Sequence, residues 1–170
     1  MAKSKQTPKV DFNHFIEKFP EVELPITLSG DLHHVFSKKN DPFHPLMVEQ
    51  FIRELESDPI DEYTEFIPCF RLKATYDFHA IVYWRAGLLN YAYKLVTFDK
   101  KGGLINQQVI AGTKAEGELL VRSVATIEDD WTIYVVGGVS AATNEKSYDA
   151  SSSQTLNLEL LATGQIVALN

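Results

Sequence analysis

The chain has 170 residues, 45% hydrophobic and 23% charged, with a formal net charge of −7 at neutral pH. A domain of that length buries roughly 70% of the surface its unfolded chain exposes, so one real core is expected, and the composition excludes a disordered chain. The acidic balance argues against a nucleic-acid partner, which needs a basic face to release counterions, and against an anionic membrane surface.

The first ten residues carry the only basic cluster, Lys3, Lys5 and Lys9, and read as a solvated, frayed tail. They are too polar for a signal peptide, and nowhere is an apolar run long enough to span a bilayer, so a cytoplasmic protein is expected unless a leader has been removed. A single cysteine, Cys69, excludes an intramolecular disulfide and a Cys-rich zinc site. One domain over 1–170 is expected, divided into the tail, a helical preface over 11–59 and a β-meander over 63–170.

The preface opens with Phe12, Phe15, Ile16 and Phe19 at helical spacing behind Asp11, a good N-cap, and Pro20 stops the continuation. Leu24 to Leu28 is extended, because Pro25 keeps Leu24 out of the α region and Ile26 and Thr27 are β-branched. Asp31 to Pro45 has no sustained period and predicts a long surface loop or one short helical turn. Pro45 then suits the first position of a helix whose Val48, Phe51, Ile52 and Leu55 form one apolar stripe, ending at Ser57-Asp58-Pro59.

From about Tyr63 the period changes to alternating or continuously apolar. Strands are predicted over Glu65–Thr75, Phe78–Arg85, Leu88–Phe98, Leu104–Ala111, Glu118–Ile127, Trp131–Val136, Gln154–Ala162 and Gln165–Leu169. Turn chemistry separates them at Tyr76-Asp77, Ala86-Gly87, Asp99 to Gly103, Gly112 to Gly117, Asp129-Asp130, Gly137-Gly138 and Thr163-Gly164. Short turns force antiparallel neighbours. Leu119, Val121, Ala125 and Ile127 share one expected buried face. Ala80 to Trp84 is apolar on both faces and therefore predicts a central strand covered twice. Val139 to Ser153 reads as a mobile polar loop.

The fold class is α+β, mainly β: short N-terminal helices packed on a curved antiparallel meander of seven or eight strands. A small closed up-and-down barrel is the alternative.

Few residues suggest chemistry. Asp31, His33, His34, Asp41 and His44 are of metal-ligand type, but their spacing matches no standard zinc signature, and adjacent histidines point apart. His79 is a candidate general base only if it faces a cavity. Cys69, between Pro68 and Phe70, is expected to be buried and inert. The paired glycines lack the strand-to-helix setting of a phosphate loop, and no cofactor is expected. Tyr and Trp are frequent at binding surfaces, and Arg85, Tyr91 and Tyr93, with Trp131 a further candidate, are expected to line a concave pocket if the sheet curls.

The run from Tyr93 to Ile105, YKLVTFDKKGGLI, followed by Ile110-Ala111-Gly112, resembles a hairpin of small uncharacterised β-meander proteins of Bacteroidota-type bacteria. The Phe-Pro and Leu-Pro pairs between Phe15 and Leu28 are similar to the entry segment of some of them. The resemblance implies a hairpin in a bacterial protein and carries no functional residue. The reading is a non-enzymatic domain that binds a protein or small ligand through its concave face or a strand edge. The alternatives are a metal- or His-dependent enzyme using His33, His34 and His44 or His79, and a structural subunit.

Overall fold

A computed structural model describes residues 8–88, 90–141 and 153–169, and in it the alternation of the second half becomes strands laid side by side. The strands are β1 (Ile26–Leu28), β2 (Glu65–Arg71), β3 (Phe78–Gly87), β4 (Asn90–Asp99), β5 (Leu104–Glu116), β6 (Leu119–Ile127), β7 (Thr132–Ala141), β8 (Gln154–Leu160) and β9 (Ile166–Leu169). From β2 to β9 each pairs antiparallel with the next, as connections too short for a crossover require. β1 is a ninth strand contributed by the preface, paired to β6 through Leu28↔Ala125 and Ile26↔Ile127. The sheet stays open. Asn106 on β5 donates from Nδ2 to Gln165 Oε1 at 3.0 Å and to the Ile166 carbonyl at 3.3 Å, so β9 meets β5 through a side chain and not a ladder.

The bend in the sheet is built at β6. Its first half pairs with β5 from Leu119↔Glu116 to Ser123↔Gly112, and beyond that β5 departs and β1 takes its place beside Ala125–Ile127. Gly112 makes the close approach possible: a Cβ there would overlap the Tyr91 carbonyl oxygen. The outer strands thereby fold across β3 and β4, and both layers share one core.

β3 is not central in the sheet but second from its edge, beside β2; its apolar faces are accounted for by two cores, one on each side. Phe78, Ala80, Val82, Trp84 and Ala86 point into the larger, with Leu95, Ile127, Ile133, Leu158 and Leu160 from other strands. Ile81 and Tyr83 point the other way, into a second core with Val96 and Phe98 that the helices cover.

That covering starts with α1 (Phe12–Glu17), capped by the Asp11 carboxylate, which accepts the Asn13 N–H at 2.7 Å. α1 places Phe15 and Ile16 in the second core, where Phe19 joins them. Full burial of an apolar side chain such as Phe15 stabilises by roughly 1.5–3 kcal/mol. α3 (Pro45–Met47) runs on as a π turn over Val48–Ile52 and a 3-10 turn over Arg53–Leu55, so the second predicted helix has its apolar stripe but not a regular α ladder.

Other predicted boundaries move for identifiable reasons. Asp31 to Pro45 is not chiefly loop: α2 (Leu32–Lys39) forms there, one turn separating Leu32 from Phe36, and both pack on the larger core. Leu32, Val35 and Phe36 have helical spacing, but one turn of it among histidines and lysines is too short a period to read, and Val35 stays exposed. Gly112 to Gly117 is not a turn, because β5 continues to Glu116, and Gly137-Gly138 lies inside β7. β2 ends at Arg71, short of Thr75, and the β3–β4 turn falls after Gly87. Leu119 is exposed and Val121 half-buried, since this end of β6 projects beyond the core that Ala125 and Ile127 enter. Of the predicted polar loop, 139–141 belongs to β7 and 142–152 lies outside the described residues, as does most of the N-terminal tail.

Candidate functional site

The β3–β4 register decides what shares a face. Gly87↔Asn90 sets Trp84 opposite Tyr93 and Ala86 opposite Tyr91, all on the side of the larger core. From β5, Thr113 continues the row beside Tyr91, and Arg122 of β6 sits beside Thr113.

Where the layers diverge at Gly112, these residues line a cleft of about 590 Å³, closed on another side by Ser29 to His33. Three of its rings are nearly parallel. His33 lies flat on Trp84, centroids 4.2 Å apart and planes 3° apart, and Trp84 and Tyr91 are 5.7 Å apart at 6°. His33 Nδ1 is 2.7 Å from the Gly30 carbonyl, so that nitrogen carries the proton and fixes the ring's edge. Tyr93 is buried and donates its hydroxyl to the Ser29 carbonyl at 3.2 Å; burial pushes its phenol well above the ordinary value, so it stays a neutral donor. Tyr91, by contrast, is 43% exposed. Asp31, Arg122 and Ser123 add polar groups to the wall.

The arrangement can therefore hold a flat molecule and hydrogen-bond its edge. Among the described residues lining it, no nucleophile is hydrogen-bonded to a base.

Tyr91 and Tyr93 meet as expected. Arg85 does not join them in the aromatic cleft. It alternates to the opposite face, where it is buried with Tyr83 and Lys94 around one carboxylate. Glu56 Oε2 lies 3.0 Å from Arg85 Nε, its Oε1 lies 3.5 Å from Lys94 Nζ, and Oε1 accepts the Tyr83 hydroxyl at 2.6 Å. Burial, then the bond to Glu56, pushes the Tyr83 phenol far above its ordinary value. Trp131 lies outside the cleft, in the turn after β6, with its ring edge-on to Phe78 at 5.9 Å.

The metal-type histidines separate. His44 stands away at the start of α3, where it accepts the Leu46 N–H, but His33 and His34 do not point apart as adjacent residues were expected to: their ring centroids are 4.0 Å apart, with His33 committed to Trp84 and Gly30. Among the described residues no three His, Cys, Asp or Glu side chains gather as ligands. His79 packs against Phe12, and burial, then the charges of Lys100 and Arg71, hold its imidazole below the ordinary value. Cys69 is buried and its thiol is pushed well above the ordinary value by desolvation, with the Trp84 backbone bond acting the other way.

Sequence reasoning gave Trp84 and Arg122 no place in a site and took His33 as a metal-type residue, not as a ring of the cleft. The signal for Trp84 was present: a two-residue turn after Gly87 places residue 84 across from 93, and Arg85 across from Ala92. His33 and Arg122 come from segments whose placement depends on α2 and on the bend at Gly112. No protein family, curated protein or solved structure matches this chain.

Proposed function

We propose that the protein is a binding module whose aromatic cleft takes a small flat aromatic ligand. The observation that carries the reading is the set of near-parallel His33, Trp84 and Tyr91 rings beside a cleft of about 590 Å³, a size within the usual range for small-molecule sites. Rings supply contact area at low entropic cost. Tyr93 fixes the floor by its bond to Ser29.

The chain has two tryptophans, so Trp131→Phe leaves Trp84 as the only indole emitter. Titrating that variant with benzoate, nicotinate and phenylacetate is expected to give a saturable change in Trp84 emission with at least one of them. Tyr91→Ala should weaken it about tenfold, the loss of one aromatic contact. No saturable change with any of the three, or undiminished binding in Tyr91→Ala, refutes the reading.

A further inference from the structure

A second site of different chemistry adjoins the aromatic cleft across the β4–β5 ladder: the two share Tyr91, Gly112, Thr113 and Ser123 in their walls, but the charged groups that carry the second belong to it alone. There one buried carboxylate serves two buried cations: the side chains of Glu56, Arg85 and Lys94 are only 4%, 9% and 12% exposed. Lys94 donates to the Leu55 carbonyl at 2.7 Å and Arg85, from one terminal nitrogen, to the Pro59 carbonyl at 3.1 Å. Neither carbonyl supplies the missing negative charge. Arg85 Nε, though 3.0 Å from Glu56, makes no aligned hydrogen bond and is shut off from solvent. Buried charge is costly unless compensated, and here one positive charge exceeds its partner.

These cations open on a trough of about 310 Å³. Its floor is small: Arg85 stands across from Ala92, Ala92 from Gly112, and Gly112 from Ser123, so the row beyond the guanidinium has no bulk. Asn90 and Lys114 line the same face; Asp58, an exposed carboxylate, stands at the rim, and Lys114 shares its charge with Glu116 at 4.0 Å.

We propose that this trough binds a small oxyanion, the phosphate or carboxylate group of a ligand, between Arg85 and Lys94 over the Ala92–Gly112–Ser123 floor. A guanidinium presents paired donors in the geometry of an oxyanion, and an anion there neutralises the excess that Glu56 leaves.

The test follows the arginine Nε–H resonances of the labelled full chain during titration with sodium phosphate and, separately, sodium acetate, with sodium chloride holding ionic strength constant. The Arg85 resonance, assigned from Arg85→Lys, is expected to shift saturably with phosphate; a shift with acetate as well assigns the site to oxyanions generally. Ala92→Leu, which fills the floor without altering a charge or the aromatic cleft, should abolish the shift, and Lys94→Met should weaken binding about tenfold. Phosphate should also raise the melting temperature of Glu56→Gln more than that of the wild type, by replacing the missing negative charge. If Glu56→Gln does not fold, the Ala92→Leu titration decides. An Arg85 resonance that responds saturably to neither anion, or that responds equally in Ala92→Leu, overturns the proposal.

Discussion

The two faces of the β3–β4 hairpin differ in what covers them. On one side the sheet's own outer strands fold back and leave a cleft among Trp84, Tyr91 and Tyr93; on the other, α1 helps cover the core that holds Ile81, Val96 and Phe98, while the segment from Leu55 to Pro59 meets Tyr83, Arg85 and Lys94. Neighbouring residues of one strand, Trp84 and Arg85, thus enter opposite environments. Where a sheet covers a sheet, divergence of the strands leaves a gap lined by rings; where short helical turns do so, their carbonyls and a glutamate reach the buried cations. The aromatic face is held by packing and the charged face by compensation, so the two should fail differently.

The largest effect is expected on the charged face. Glu56→Ala leaves Arg85 and Lys94 buried without their carboxylate and should cost about 3–5 kcal/mol in denaturant unfolding. A loss below about 1 kcal/mol would mean that water already solvates these ions and that the faces do not differ in this way. On the other layer, Leu158→Ala removes a side chain only 3% exposed and should cost about 3 kcal/mol, whereas Leu156→Ala, on the same strand and face but 42% exposed, should stay within about 0.5 kcal/mol. Equal losses would show that the larger core does not end between them.

Gly112→Ala tests the divergence itself. Its methyl collides with the Tyr91 carbonyl, so a cost of about 1–3 kcal/mol is expected, with faster amide exchange over Tyr91 to Tyr93. Unchanged exchange there would separate the bend from the close approach.

The smallest effect concerns the turn that joins β4 to β5 beneath both faces. The Asp99 carboxylate accepts the Gly103 and Lys101 N–H groups, which hold its pKa below the ordinary value. Because the folded value lies below the unfolded one, its contribution is complete above the unfolded pKa of about 4 and disappears as pH falls through the depressed folded value. Melting curves of wild type and Asp99→Asn should therefore differ near neutrality and converge in acid; a constant difference across pH would assign the effect to packing.

The meander was legible because each of its signals is local. The unbroken apolar run from Ala80 to Trp84 names a strand covered on both faces, and Asp99 to Gly103 or Thr163-Gly164 names a turn, without reference to anything distant. α2 was not, since Leu32 and Phe36 acquire meaning only from the core they meet. Gly112 misled for a related reason: glycine marks a turn or a close backbone approach equally well, and which applies depends on β4. Arg85 was grouped with Tyr91 and Tyr93 by nearness to one turn, although alternation sets it across from Ala92 and therefore on the face opposite the two tyrosines.

The amino-acid sequence by itself determined the class of the fold, the chain order of its antiparallel strands and the covering of β3 on both faces, because alternation and turn propensity act over a few residues. Only the tertiary structure decided that the sheet stays open, that β1 enters it beside β6, and that His33, Trp84 and Arg122 face one cleft while Arg85 and Lys94 share Glu56 behind it. Those outcomes depend on contacts between segments far apart in the chain, whose side chains carry no local periodic signal of the partners they meet.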